Sequence, residues 1–171
     1  AGQLLSETRN GSLVASYTYD ARGQVTGDGT RTYSYDANGN RTMSGYVTGP
    51  GNRLLSDGTW TYSYNASGDV TGKVNPATGE AWGYAYTIDG QLVRAELRSG
   101  AGALIGSADY LYDALGRLGQ MSTWSAAAGA QTVKYVYSGD LLAAELDGSG
   151  GVRARYFYGP TGRLVGYADA S

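Results

Sequence analysis

Along this chain apolar and polar positions alternate with a period of two. The alternation is strongest in a tripeptide, Tyr-x-Tyr, that occurs seven times: at Tyr17 and Tyr19, Tyr33 and Tyr35, Tyr62 and Tyr64, Tyr84 and Tyr86, Tyr110 and Tyr112, Tyr135 and Tyr137, and Tyr156 and Tyr158. Residues two apart lie on one face of an extended strand, so the two rings of each pair share a face. No helix-length window holds an amphipathic helical period; the run Ala126-Ala127-Ala128 is short and is followed by Gly129.

The best copies continue alike. They read YTYDARGQVT from Tyr17, YSYDANGNRT from Tyr33, YSYNASGDVT from Tyr62 and YLYDALGRLG from Tyr110. Degraded copies are YAYTIDGQLV from Tyr84, YVYSGDLLAA from Tyr135 and YFYGPTGRLV from Tyr156. Asp20, Asp36, Asn65 and Asp113 stand where a short carboxylate or amide accepts from the backbone two residues on. Gly23, Gly39, Gly68 and Gly116 follow, where a type I turn closing into a bulge requires positive φ. Val25, Val70 and Leu118 then open a return strand, so each copy predicts a hairpin. First tyrosines are separated by 16, 29, 22, 26, 25 and 21 residues, an irregular period for a regular unit.

The opposite rim carries turns as well. Asn10-Gly11, Asp28-Gly29 and Asp57-Gly58 are two-residue hairpin signals, and residues 75–80, 99–103, 125–130 and 147–151 form longer loops there. Residues 43–53, with Gly49-Pro50-Gly51-Asn52, read as an extra excursion inside one repeat. The predicted fold is all-β: an antiparallel β-hairpin repeat meander of roughly 14 strands in a strongly curved sheet. Residues 1–171 read as one segment of about seven hairpins. The segment has no initiator Met and begins in mid-pattern, which marks it as a fragment of a longer chain.

Composition narrows the chemistry. Lys and Arg number 13 against 15 Asp and Glu, and a net charge of -2 is too near neutral for a nucleic-acid groove or an anionic-membrane patch. No stretch approaches ~18 apolar residues, so no membrane-spanning helix is predicted. The absence of Cys and His excludes disulfides, thiolate chemistry and structural zinc, and removes the commonest general base. Sixteen tyrosines and 28 glycines against three prolines suit short strands joined by tight turns.

The ordered copies of Tyr-x-Tyr-[Asp/Asn]-x-x-Gly-x-[Leu/Val] resemble the RHS or YD repeat of bacterial Rhs toxins, toxin-complex C components, wall-associated proteins and animal teneurins. The resemblance spans essentially the whole chain. The segment from Val136 to Asp147, followed by Arg155-Tyr156-Phe157-Tyr158-Gly159-Pro160, is similar to what bacterial Rhs chains carry late in their shell. The resemblance implies a sheet that spirals into a hollow shell, of which this chain is a part. It also implies a secreted or surface-displayed bacterial protein and an enclosed effector or toxin polypeptide as partner. A sheet with open edges is expected to self-associate by edge pairing.

The acids Asp20, Asp36 and Asp113 recur with the turn, which a turn explains and a glycosidase pair does not. Gly159-Pro160-Thr161-Gly162 departs from the Asp-Pro-x-x-Gly of self-cleaving shells and reads as a degenerate seventh repeat. Asp36-x-Asn38-x-Asn40 opens like a calcium loop, but its twelfth position is Val47 rather than Glu. The sequons at Asn10, Asn40 and Asn65 lie at turns, where Asn is favoured anyway. No catalytic, cofactor-binding or metal-binding residue is assigned, and no cofactor is expected. The leading expectation is a non-enzymatic shell segment. The alternative is a surface module that binds carbohydrate or mediates cell contact, with Trp60, Trp82 and Trp124 as ligand contacts. The third is a carbohydrate-active enzyme with two carboxylates facing across a cleft.

Overall fold

Short extended runs closed by glycine turns pair most readily with their immediate neighbours, and this chain does so throughout. The computed structural model describes residues 2–169; the first residue and the last two, which the segment 1–171 includes, lie outside the described residues. The described residues form sixteen strands and one short 3-10 turn, and no helix among them is long and apolar enough to cross a membrane. The chain divides into two compact units, Ala1–Ser63 and Tyr64–Ser171.

In the first unit β1 (Ser6–Arg9) pairs with β2 (Ser12–Ser16), and β3 (Thr18–Tyr19) with β4 (Val25–Gly27). The repeat at Tyr33 forms no regular strand and is held by two isolated bridges, Gly27 with Thr32 and Tyr35 with Arg41. Then β5 (Tyr46–Thr48) pairs with β6 (Leu54–Asp57), and β6 with the start of β7 (Thr61–Tyr64). The second unit is a meander in chain order: β8 (Val70–Val74), β9 (Ala81–Tyr86), β10 (Leu92–Arg98), β11 (Leu104–Tyr112), β12 (Leu118–Ser125), β13 (Gly129–Ser138), β14 (Leu141–Asp147), β15 (Val152–Tyr158) and β16 (Leu164–Asp169). Each is antiparallel to the next. The all-β hairpin meander expected from the repeat is therefore what forms.

Residues 43–53 are not an excursion. Tyr46-Val47-Thr48-Gly49-Pro50-Gly51-Asn52-Arg53-Leu54 is another hairpin of the same design, with Thr48 in place of the second tyrosine and Gly49 in place of the aspartate. The Gly49 N–H donates to the Arg53 carbonyl at 2.8 Å, matching Asp20 to Gln24 at 3.0 Å and Asp113 to Arg117 at 2.9 Å. Asn52, at φ 58, fills the glycine position, since Asn tolerates the left-handed region better than most residues. The 29-residue gap between Tyr33 and Tyr62 thus contains a hairpin whose tyrosine signature has decayed to one ring.

The turns at Gly23, Gly39, Gly68 and Gly116 have φ of 82, 87, 97 and 77, as the bulged type I turn requires. The opposite rim is more varied. Asn10 and Gly11, at φ 53 and 80, make the expected two-residue turn with both central residues left-handed. At Asp28 the loop is shifted by one: Asp28 and Arg31 flank it through a 3.1 Å bond, and Gly29 takes the first loop position at φ 88. That is the place where the alternative hairpin turn needs glycine, and it frees the Asp28 carboxylate for the backbone. Asp57 and Trp60 flank the matching loop around Gly58.

In every Tyr-x-Tyr copy the two rings are half-buried and the residue between them is exposed; within the second unit the register puts the pairs at Tyr84, Tyr110, Tyr135 and Tyr156 on one face. Return strands bulge just after the Leu or Val position, as the register breaks beside Tyr19, Tyr112 and Tyr158 record. A bulge there adds local bend and twist once per hairpin. The buried apolar side chains among the described residues are Ala95, Val133 and Ala154. Cross-strand pairing puts each in the row of a first tyrosine: Ala95 opposite Tyr84, Val133 beyond Met121 from Tyr110, and Ala154 beyond Glu145 from Tyr135. With so few side chains buried, cohesion comes from the ladder and from rings lying across their neighbours.

Candidate functional site

The repeat places the second tyrosine of each pair at the end of a strand, opposite the Leu or Val that opens its own return strand. Tyr112 faces Leu118 and Tyr158 faces Leu164 in this way. From there the hydroxyl reaches back to the preceding hairpin and donates to the carbonyl of the equivalent Leu or Val. Tyr19 donates to Leu4 at 2.7 Å, Tyr35 to Val25 at 2.8 Å, and Tyr86 to Val70 at 2.9 Å. Tyr112 donates to Leu92 at 2.9 Å, Tyr137 to Leu118 at 3.0 Å and Tyr158 to Leu142 at 2.9 Å. A ring alone would cover the neighbour at any register; the hydroxyl fixes one. The sequence shows why tyrosine outnumbers phenylalanine here only once the acceptors are known.

A second set of bonds runs along the glycine rim. The side chain after the turn glycine reaches the next turn: Gln91 Nε2 donates to the Gly116 carbonyl at 3.1 Å, and Arg117 donates to the Gly139 carbonyl. Asn40, in the equivalent place, donates through Nδ2 to Asn52 Oδ1 at 3.0 Å. Arg117 also pairs with Asp113 at 2.7 Å and lies 4.4 Å from the centre of the Tyr137 ring. These links are legible as the polar residue in Gly-x-[Leu/Val], which the motif had recorded only as variable.

The repeated carboxylates turn inward on their own turns. Asp20 Oδ1 accepts from the N–H of Arg22 and Gln24, both at 2.9 Å. Asp36 accepts from Asn38 and Asn40, and Asp113 from Leu115 and Arg117. Asn65 accepts from the N–H of Asp69 at 2.9 Å. The Asn40 side chain and N–H hold Asp36 below the usual carboxylate range, and Arg117 does the same for Asp113. On the other rim the Tyr33 hydroxyl, helped by the N–H groups of Thr30 and Arg31, holds Asp28 far below that range. Burial raises Asp57, but the Tyr62 hydroxyl at 2.7 Å and the N–H groups of Trp60 and Thr59 outweigh it and leave it lowered.

Of the three tryptophans, one falls in the first unit and two in the second. Trp60 lies in the first unit, its backbone N–H donating to the Asp57 carboxylate at 2.7 Å. In the second, Trp82 pairs with Leu97 and Trp124 with Ser107, which is opposite Glu96. Adjacent residues Glu96 and Leu97 alternate across the sheet, so Trp82 and Trp124 stand at register positions of opposite sense, yet both residues border one depression. Trp82 stacks on Tyr84, with centroids 6.2 Å apart, and the depression that Trp82 and Trp124 both border, about 280 Å³, is floored by Ala95, Gly106 and Ala108. The reverse face there carries a chain of ion pairs, Arg98 to Glu96 to Arg94 to Asp109, at 2.6 to 2.8 Å. The sequon amides of Asn40 and Asn65 donate to Asp36 and Asp69. Gly159 and Gly162 close the repeat's turn, with the Gly159 N–H on the Arg163 carbonyl at 2.9 Å.

A teneurin YD-shell family model matches residues 3–170. No curated protein matches significantly. Similar solved structures include a porin-like protein from Bacteroides uniformis, at 12% identity over 88% of this chain and 79% of that one, with a TM-score of 0.47. The Tc holotoxin pore of Photorhabdus luminescens is 13% identical over 98% of this chain and 17% of that one, with a TM-score of 0.36. A TcdB2-TccC3-Cdc42 structure is 15% identical over 88% of this chain, with a TM-score of 0.35. The chain spans 17% and 10% of the length of those two toxin chains.

Proposed function

Because the chain belongs to the teneurin YD-shell family, we propose that it is a non-enzymatic stretch of shell wall that encloses a toxin or effector polypeptide. The setting proposed is a secreted or surface-exposed bacterial protein. The observation that carries this reading is the recurrent bond from a hairpin's second tyrosine to the preceding hairpin's carbonyl, made by Tyr19, Tyr35, Tyr86, Tyr112, Tyr137 and Tyr158. A device repeated along the length of the chain suits a wall, whose job is continuous; a binding site needs it once or twice. The repeated acids are occupied by their own turns, which favours structure over hydrolysis. The mechanism is steric: a ladder latched repeatedly along its length excludes proteases from whatever lies behind it.

The test is limited proteolysis of the intact native protein that contains this chain, with cleavage sites read by mass spectrometry. Enclosure expects a non-repeat polypeptide that resists protease until the wall is denatured. If every non-repeat segment is cut under native conditions while the repeats survive, enclosure is wrong. Saturable glycan binding by that protein would then favour the surface-module alternative.

A further inference from the structure

One junction of the glycine rim lacks the link that the others make. In the second unit the residue after a turn glycine bonds the following turn: Gln91 donates to the Gly116 carbonyl at 3.1 Å, and Arg117 to the Gly139 carbonyl. Arg117 also pairs with Asp113 and lies 4.4 Å from the centre of the Tyr137 ring. Asp69 holds the same place after Gly68, and a carboxylate has no proton to give. It accepts instead from the Asn65 side-chain amide at 2.9 Å, within its own turn.

The next turn is left with acceptors alone. Counted from the second tyrosine, the carbonyls of Ile88 and Gly90 correspond to those of Gly139 and Gly116. Among the described residues nothing donates to either, and neither Asp69 nor Asp89 pairs with a Lys or Arg. Tyr86 and Tyr137 hold equivalent places, since their hydroxyls donate to the matching carbonyls of Val70 and Leu118 at 2.9 and 3.0 Å. Between the two turns lies a depression of about 470 Å³ bordered by Asn65, Asp69, Tyr86, Ile88, Asp89 and Gly90. Burial raises the Tyr86 phenol above its ordinary value, and the nearby Asp69 carboxylate adds to the shift.

We propose that this depression is a binding site for the guanidinium of an arginine presented by a protein partner. The incoming group takes the place that Arg117 fills from within its own chain: it donates to the Asp69 carboxylate and to the Ile88 or Gly90 carbonyl, and its plane lies on the Tyr86 ring. What defines the site is this occupied counterpart in the same sheet, with its ring and its carbonyl, rather than the two carboxylates. Arginine fits better than lysine, because a planar fork serves several acceptors at once and stacks on a ring. Ile88 is fully exposed at the lip and offers an apolar contact to the residue beside that arginine, which a free guanidino compound does not use. The site is independent of what the wall encloses.

The experiment uses the 171-residue chain and the blocked tripeptide Leu-Arg-Leu, with the same peptide carrying citrulline as the uncharged isostere. Amide shifts in NMR give both affinity and location. The expected result is saturable binding with shifts concentrated on residues 65–69 and 86–90. The citrulline peptide should bind at least about tenfold more weakly, the factor of one charge-assisted hydrogen bond. Asp69→Arg supplies the guanidinium internally, so it should abolish peptide binding and raise Tm by about 2–4 °C. Ile88→Ser, at a side chain the fold does not bury, should lower affinity to that of acetyl-arginine amide. The proposal is overturned by absence of binding at millimolar peptide, by equal affinity of the citrulline peptide, by shifts elsewhere on the sheet, or by a folded Asp69→Arg chain that still binds. The citrulline comparison uses the unaltered chain and decides the question even where Asp69→Arg folds poorly. If acetyl-arginine amide binds the unaltered chain as tightly as the tripeptide, a protein partner is refuted and the ligand is a free guanidino compound.

Discussion

Removing a single hydroxyl tests whether the tyrosines act as latches or only as cover. Tyr112→Phe keeps the ring and its burial but deletes the donor that sits 2.9 Å from the Leu92 carbonyl. A net intramolecular hydrogen bond contributes roughly 0.5–1.5 kcal/mol. Tyr112 is half-buried, so water reaches the abandoned carbonyl, and the expected loss is about 1 kcal/mol rather than the larger penalty of a sealed acceptor. For a chain of this size that corresponds to a fall in Tm of about 2–4 °C. The control lies in the same tripeptide. Tyr110 is equally half-buried, and its hydroxyl has no hydrogen bond among the described residues, so Tyr110→Phe should change stability by less than about 0.5 kcal/mol. Urea unfolding followed by far-ultraviolet circular dichroism measures both, with the slope checked for constancy so that the midpoint reports stability. If the two variants are indistinguishable, or Tyr110→Phe is the more damaging, the hydroxyl is not the latch and ring packing alone orders the hairpins.

Two further outcomes follow from turn geometry and electrostatics. Gly116→Ala forces a Cβ into φ 77 and should cost about 1–2 kcal/mol in the same unfolding assay. Gly83→Ala, where an added Cβ meets nothing within 4 Å and φ is not positive, should be neutral or stabilising by up to about 1 kcal/mol; equal losses at both sites would refute the turn assignment. The Tyr156 hydroxyl donates to Glu145 Oε1 at 2.7 Å, and this bond, with help from burial, pushes the phenol up to about 12. Because the folded value lies above the ordinary 10.0, the contribution is complete below that pH and disappears as pH rises through about 12. Glu145→Gln should bring Tyr156 back toward the ordinary value in a tyrosinate absorbance or ring-carbon NMR titration, and an unmoved Tyr156 would show that the carboxylate is not the cause.

Much of this protein is determined by local sequence. Tyr-x-Tyr followed by Asp and Gly specifies a strand, a shared face and a turn within ten residues, because alternation and positive φ are properties of the backbone itself. The turn bonds of Asp20, Asp36 and Asp113 were legible for the same reason: donor and acceptor are two to four residues apart. The hairpin at Tyr46 escaped because Thr48, Gly49 and Asn52 replace the marked side chains while the backbone keeps the form, and Asn52 still turns left-handed.

What lies between hairpins was decided only by the tertiary structure. Tyr112 and Leu92 are twenty residues apart and Tyr35 and Val25 ten, so no fixed spacing announces the bond. That Trp82 and Trp124, far apart in sequence, border one depression depends on cross-strand register, which composition does not encode. A chain dictates its turns through each residue's own torsion preferences. It dictates its latches only through the pairing of strands, where one step of register sends a side chain to the other face.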